Sequence, residues 1–271
     1  MRDVGEGASW RTDRLTHTQL LVKILANGLP ISPLLLAPWC DSAIFRVDWL
    51  HAADQGVTAD WLGHLFKLLI TKVAGANIQK RTATFWLRLQ NWYKVRKIEH
   101  RLQNLVPTMI QQPKKAPKLR ASGAQVRALV PFALTTAEAL LRAEVRVEEA
   151  ALIGTRHLAA CYDALSTDSV FPVEVMRFSS IQFALQYVSL EAASLDPKSW
   201  RVKPKLHVFL EVCSEGGRPA MFWNYRDEDW GGSLAKMSRR RGGVLSVKSF
   251  SQNVLDRFKI QQPVVRMLAT R

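Results

Sequence analysis

Length and composition set the first limits on this chain. Its 271 residues, 48% hydrophobic and 23% charged, are enough for one large domain or two small ones with a sizeable core. No apolar run reaches the roughly 18 residues that a membrane span requires, and the N-terminus lacks the apolar stretch of a signal peptide. We therefore expect an intracellular protein with no membrane partner. The three widely spaced cysteines form no CxxC pair, which predicts free thiols.

Positive charge is concentrated in two parts of the chain. The formal net charge of +15 divides into +12 for residues 61–120 and +9 for 198–271, against −2 for 1–60 and −4 for 121–197. Two basic blocks separated by an acidic one indicate a binding surface for a polyanion, most often nucleic acid. The alternative is a solvated basic face without a partner.

The first elements are predicted from caps, breakers and β-branched runs. Thr16 and Gln19 form a capping-box pattern that begins a short helix, ending near Gly28. A proline-rich loop covers residues 29–38. The β-branched and aromatic run Ser42–Val47 is the best strand candidate in the chain.

After this strand almost every pattern is helical. Apolar residues with a 3.6-residue period predict helices, which we place over residues 58–73, 79–96, 122–135, 136–164, 173–195, 205–213, 227–241 and 246–269. The helix over 79–96 interleaves aromatic and basic residues, a pattern that serves core packing more often than base stacking. The prolines of 111–120 make this stretch a loop, and it is the densest short basic run in the chain. The predicted fold class is mainly α with a small α/β part.

Three short patterns carry candidate chemistry. Asp48 and His51, spaced three apart after the predicted strand, are either metal or substrate ligands or a helix cap and a packed ring. The acidic triplet 227–229 either holds Mg²⁺ beside cations or complements a helix dipole. His207 and Glu211, four apart on one helix face, form a possible metal half-site that lacks the HExxH pattern.

The order of these patterns resembles the C-terminal half of eukaryotic cut-and-paste DDE transposases of the CACTA-like and hAT-like groups. The sequence DWLHAADQGVT, a helical stretch, KPKLHVFLE and FWNYRDEDWGGSLAK follow one another as the corresponding motifs do in that family. The resemblance implies an incomplete RNase H-like core interrupted by a large helical insertion. It implies three segments: 1–57 with the DxxH motif, a helical insertion over 58–202, and C-terminal core helices with a basic tail over 203–271.

The resemblance also implies roles for residues. Asp48 and His51 match the DxxH pair, and Glu228 matches the third catalytic carboxylate, with Asp227 and Asp229 as close alternatives for the metal. Lys205 and His207 match the first part of a PKxH motif, and Glu211 stands where a second histidine is expected. The expected phosphate contacts are Lys114, Lys115, Lys118, Arg120, Arg226, Lys236, Arg239, Arg240 and Arg241.

The family's first two catalytic aspartates lie upstream of DxxH, on strands that we do not find in this sequence. Two-metal phosphoryl transfer needs carboxylates from several strands. We therefore expect a truncated, transposase-derived protein that binds DNA in the nucleus and does not cleave DNA alone, unless a complementary chain or oligomer completes the site. Mg²⁺ would bind only if the site assembles, and no small-molecule cofactor is expected. The alternatives are a non-enzymatic basic helical adaptor for nucleic acid or acidic partners, and a standalone metal-dependent hydrolase or nuclease.

Overall fold

The computed structural model describes residues 3–11, 15–42, 46–167, 170–214, 217–221, 223–225 and 231–232. The chain divides into two compact units, residues 1–223 and 224–271. Nine α-helices lie in the described residues, all in the first unit: α1 His17–Ala26, α2 Ala59–Thr71, α3 Ile78–Arg96, α4 Pro107–Ile110, α5 Gly123–Ala128, α6 Val130–Leu140, α7 Arg146–Ser166, α8 Val173–Ala193 and α9 Lys205–Ser214. The mainly α prediction is confirmed.

The first helix forms as its capping box predicts. The Thr16 side chain accepts a hydrogen bond from the backbone N–H of Gln19, and the Gln19 side chain accepts one from the Thr16 N–H. The helix ends at Ala26, and Gly28 follows with a φ of +65°. No residue of α1 is buried, so the stability of this helix depends more than usual on its local caps.

The strand predicted at Ser42–Val47 is not found. Residues 43–45 lie outside the described residues, and Ser42, Arg46 and Val47 belong to no strand. No part of the described chain is a β-strand, so this run has no described neighbouring strand to satisfy its backbone. The Ser42 N–H instead donates to Nδ1 of His17, at 3.1 Å. The small α/β part and the RNase H-like core therefore gain no support from these residues.

A π-helical segment, Leu50–Thr58, leads directly into α2. It breaks at Gly56, whose φ of −98° and ψ of −111° are not helical. The segment is mostly buried and packs against α2, α5 and α9. Its carboxylate at Asp54 is fully buried and accepts hydrogen bonds from the Tyr162 hydroxyl, at 2.5 Å, and from Nε1 of Trp49, at 3.3 Å. These bonds join the segment to α7.

The helices from residue 122 to 166 are divided differently from the prediction. Pro131 lies in the first turn of α6 and begins it, where its missing N–H needs no partner. The predicted helix over 136–164 is interrupted between Leu140 and Arg146. There the backbone N–H of Arg142 donates to the carboxylate of Glu148, at 2.9 Å, and Lys72 pairs with the same carboxylate. A partly buried ion pair with Lys72, the residue that follows α2, therefore accompanies the break.

The core centres on the aromatic ring of Trp61, on α2. Its neighbours are Phe183, Tyr187 and Trp200, with ring centroids 4.8 to 5.2 Å from its own. The long helices α7 and α8 pair along their length beside it. Gly154 of α7 faces the indole so closely that an added Cβ would lie 2.4 Å from Cη2. This glycine lets α7 approach α2.

Three further predictions concern the cysteines, membrane-spanning helices and the aromatic residues of α3. All three cysteines are free and buried: Cys40, Cys161 and Cys213. Within the described part of the chain, no helix is both long and apolar enough to cross a membrane. The helix α3 buries Phe85, Leu89 and Tyr93, as the core interpretation of its aromatic residues predicts.

Candidate polyanion-binding cavity

A cavity of about 330 Å³ lies between the loop 112–120 and the segment 198–203. Its walls contain seven cationic side chains and no carboxylate. The cations are Lys114, Lys115, Lys118, Arg120, Lys198, Arg201 and Lys203, and the other lining residues are Gln112 and Ala116. We call this feature the cationic cavity. Most surface cations have anionic neighbours. A cavity wall that carries only positive charge therefore favours the binding of an anion.

One buried carboxylate fixes two of the seven cations. Asp60, in the first turn of α2, is 2% exposed. Its Oδ1 lies 2.7 Å from Nζ of Lys203 and 3.8 Å from Nζ of Lys118. The Lys118 ammonium also donates to the backbone carbonyl of Gln55, at 2.8 Å. One lysine from each wall is thus tied to the same helix.

Backbone contacts hold the loop 112–120 against α2 and α4. The N–H groups of Lys118, Leu119 and Arg120 donate to the carbonyls of Ile110, Ala59 and Met109, each at 2.8 Å. The loop crosses α2 at Gly63, where an added Cβ would lie 2.4 Å from the backbone of Lys118. Glycine is therefore required where the loop meets the helix.

Aromatic packing holds the opposite wall. Trp200 is 6% exposed and stacks on His64 with ring centroids 5.1 Å apart. The Trp200 N–H donates to Nδ1 of His64 at 3.0 Å, so that nitrogen carries no proton. The Val202 N–H donates to the Glu191 carboxylate at 3.0 Å. With Trp200 buried between them, Lys198 and Arg201 extend from an anchored backbone.

Both walls contain a residue with a left-handed backbone. Lys114 has a φ of 62° and Trp200 a φ of 54°. Lys97 is the third such non-glycine residue among those described. A left-handed conformation is unfavourable for residues with a Cβ and persists where surrounding contacts impose it. Two of these three positions border the cationic cavity.

The charges in the cavity act on each other. Burial lowers the pKa of Lys118 below its usual value, and the positive charges of Lys203 and Lys205 lower it further, while Asp60 opposes the shift. Five cations are exposed, and their side chains have no carboxylate partner among the described residues: Lys114, Lys115, Arg120, Lys198 and Arg201. An anion that enters the cavity therefore displaces no protein carboxylate from them.

The DxxH pair has the geometry of a helix cap. The Asp48 carboxylate accepts from the backbone N–H of His51 at 2.8 Å and from that of Leu50 at 3.3 Å. Its Oδ2 also lies 2.6 Å from Nδ1 of His51. A carboxylate in this position satisfies N–H groups at the start of a helical segment. These hydrogen bonds fit the cap interpretation of Asp48, whereas the His51 side chain is 45% exposed and not the packed ring of that interpretation. The role of the pair as metal or substrate ligands stays a prediction.

The residues of the PKxH-like segment also have structural contacts. The Lys205 ammonium donates to the backbone carbonyl of His51 at 3.0 Å. Nε2 of His207 lies 3.6 Å from a Glu211 carboxylate oxygen, an ordinary pair one helical turn apart. The Trp10 ring packs on His207 at 4.3 Å. Within the described residues, no three histidine, cysteine or acidic side chains are grouped to hold a metal ion.

Several predicted site residues lie outside the described residues. They are Arg226, Asp227, Glu228, Asp229, Lys236, Arg239, Arg240 and Arg241. The role implied for Glu228, as the third catalytic carboxylate, therefore stays a prediction. Four cations of the cavity belong to the basic loop that was predicted to contact phosphate: Lys114, Lys115, Lys118 and Arg120. Their phosphate contacts stay a prediction.

The sequence analysis missed Lys198, Arg201 and Lys203 as members of the site. Their spacing in KSWRVK, beside a tryptophan, was the available signal. The described residues form a helical fold with a cavity whose walls are cationic. Compared with known proteins, the chain matches no family model, no curated protein and no solved structure.

Proposed function

We propose that this protein binds nucleic acid through phosphate contacts in the cationic cavity. The observation that carries the proposal is the wall of seven cationic side chains without a carboxylate. Lysine and arginine release counterions from a nucleic acid when they neutralise its phosphates, which favours association. Because phosphate contacts carry no sequence information, we expect binding with little sequence preference.

The described residues that support the proposal are the cations of the cavity, which can contact phosphate groups. Asp48 caps a helical segment, and the other carboxylates expected to hold Mg²⁺ lie outside the described residues. Descent from a DDE transposase, a bound Mg²⁺ and a nuclear location stay predictions of the resemblance. A basic adaptor for acidic protein partners would use the same cavity, and the experiment below separates it from nucleic-acid binding.

The test is binding of a fluorescent 20-base-pair duplex and a single strand, measured by anisotropy across a salt series. The Lys115→Gln/Arg120→Gln variant removes two charges from the cavity. The Lys94→Gln/Arg96→Gln variant removes two from the exposed end of α3, outside the cavity walls. We expect the cavity variant to lower the slope of log K against log[salt] by about 1.8 for the duplex, at about 0.9 for each lost phosphate contact.

The control variant should keep the wild-type slope. An equal reduction in both variants would mean that general basicity, and not the cavity, binds the nucleic acid. No binding at low salt, together with binding of polyglutamate, would favour the adaptor for acidic proteins.

A further inference from the structure

We infer that the cationic cavity is also a site for a compact polyphosphate, a small molecule with several phosphate groups. This ligand class goes beyond nucleic-acid binding, although it uses the same cavity. It would compete with nucleic acid for the same side chains. The inference follows from the number of charges in the cavity compared with its size.

The number and arrangement of these charges do not match a single nucleic-acid strand. The walls carry seven positive charges around one cavity of about 330 Å³, and Asp60 offsets one of them. One duplex strand places its phosphates along a line, one about every 3.4 Å of the axis, so phosphates beyond the first few lie away from the cavity. Some of the wall charges would therefore stay uncompensated beside a nucleic-acid backbone.

A compact polyphosphate places more charge in the same volume. Its phosphates point in several directions from one small scaffold, whereas those of a strand follow one line. The cationic side chains come from two facing segments, 112–120 and 198–203. A ligand with phosphates on opposite sides contacts both segments at once, and each contact is a charge-assisted hydrogen bond.

The cavity is organised before the ligand arrives. Asp60 fixes Lys118 and Lys203, and the stacked pair His64 and Trp200 holds the backbone between Lys198 and Arg201. Fixed donors lose little freedom on binding, so more of the interaction energy remains as affinity. This separates the cavity from the exposed lysines and arginines at the end of α3.

The test is calorimetry of the full chain with inositol hexakisphosphate as the probe. We expect one site per chain. The Lys198→Gln/Arg201→Gln variant should bind at least about tenfold more weakly, since a hydrogen bond to a charged group contributes a factor of ten or more. The Lys94→Gln/Arg96→Gln control should bind like the wild type. Melting temperatures no lower than that of the wild type establish that both variants are folded.

Three results would overturn the inference: no binding, several equivalent sites, or equal weakening in the control variant. Duplex binding on the same samples separates this inference from the proposed function. If the duplex binds through the cavity and the probe does not, the polyphosphate site is wrong and nucleic-acid binding stands. If the probe binds at one site and the duplex does not bind, the proposed function is wrong and the polyphosphate site stands.

Discussion

Acidification should destabilise this protein through one buried histidine. His64 is 3% exposed, and its Nδ1 accepts the Trp200 N–H. Its Nε2 is buried and has no hydrogen-bond partner among the described residues. Burial lowers its pKa to about 3, and the charges of Lys203 and Lys67 act in the same direction, while Asp196 opposes them. A protonated ring would also place a second N–H against that of Trp200.

The sign and size of the effect follow from linkage. In the unfolded chain His64 has its ordinary pKa of 6.5. Between pH 6.5 and 3 the unfolded state therefore binds a proton that the folded state refuses, so stability is complete above pH 6.5 and falls as the pH decreases. At about 1.4 kcal/mol per pH unit, His64 alone should remove about 2.7 kcal/mol of unfolding free energy by pH 4.5.

The assay is urea unfolding followed by tryptophan fluorescence from pH 7.5 to 4.5. The His64→Gln variant keeps an acceptor for the Trp200 N–H but cannot titrate. It is expected to be less stable than the wild type at pH 7.5 and to lose less stability on acidification, by about 2.5 kcal/mol. His100→Gln, at an exposed histidine, is the matched control and should follow the wild type. Parallel pH dependences of the wild type and His64→Gln would refute the role of His64.

Three further substitutions test the packing and capping described above. Gly154→Ala places a methyl group against Trp61, and we expect thermal unfolding to show a loss of about 1 to 3 kcal/mol in stability. An unchanged stability would contradict the close approach of α7 to the indole. Gly63→Ala should displace the backbone of Lys118. At an equal loss of stability, it should weaken polyanion binding more than Gly154→Ala does. Equal binding by the two variants would show that the loop tolerates the shift. Thr16→Ala removes a helix cap that contributes about 1 kcal/mol. Amide hydrogen exchange should therefore speed up in α1 alone. A loss of protection in other helices would contradict the local role of this cap.

Local signals in the sequence predicted local structure well. Thr16 and Gln19 satisfy N–H groups within their own turn, so the capping box could be read without knowledge of the fold. The periodic pattern of 58–73 likewise predicted α2. In contrast, the break before α7 involves Lys72, at the C-terminal end of α2, which pairs with Glu148 only once the two helices have met. A strand at Ser42–Val47 required a partner strand, which β-branched residues alone cannot supply.

In the candidate site too, residues that are neighbours in the sequence could be predicted, whereas residues brought together by the fold could not. The basic loop was visible because Lys114, Lys115, Lys118 and Arg120 are neighbours in the sequence. That Lys203 meets them depends on Asp60, a buried carboxylate with no local motif. The DxxH pattern was ambiguous since helix caps and metal ligands use the same side chains. The hydrogen bonds that Asp48 accepts from His51 and Leu50 show the capping contact, which the sequence pattern alone could not.

The charge imbalance of the cavity also makes folding of this protein depend on the buffer. Seven like charges in about 330 Å³ repel each other, so the empty site opposes the folded state. A multivalent anion that binds the folded chain more tightly than the unfolded chain raises the melting temperature with its concentration. Neutralising an exposed cavity residue then stabilises the free protein while it weakens binding. A screen for thermostable variants in a buffer without phosphate or sulfate would therefore select against the site.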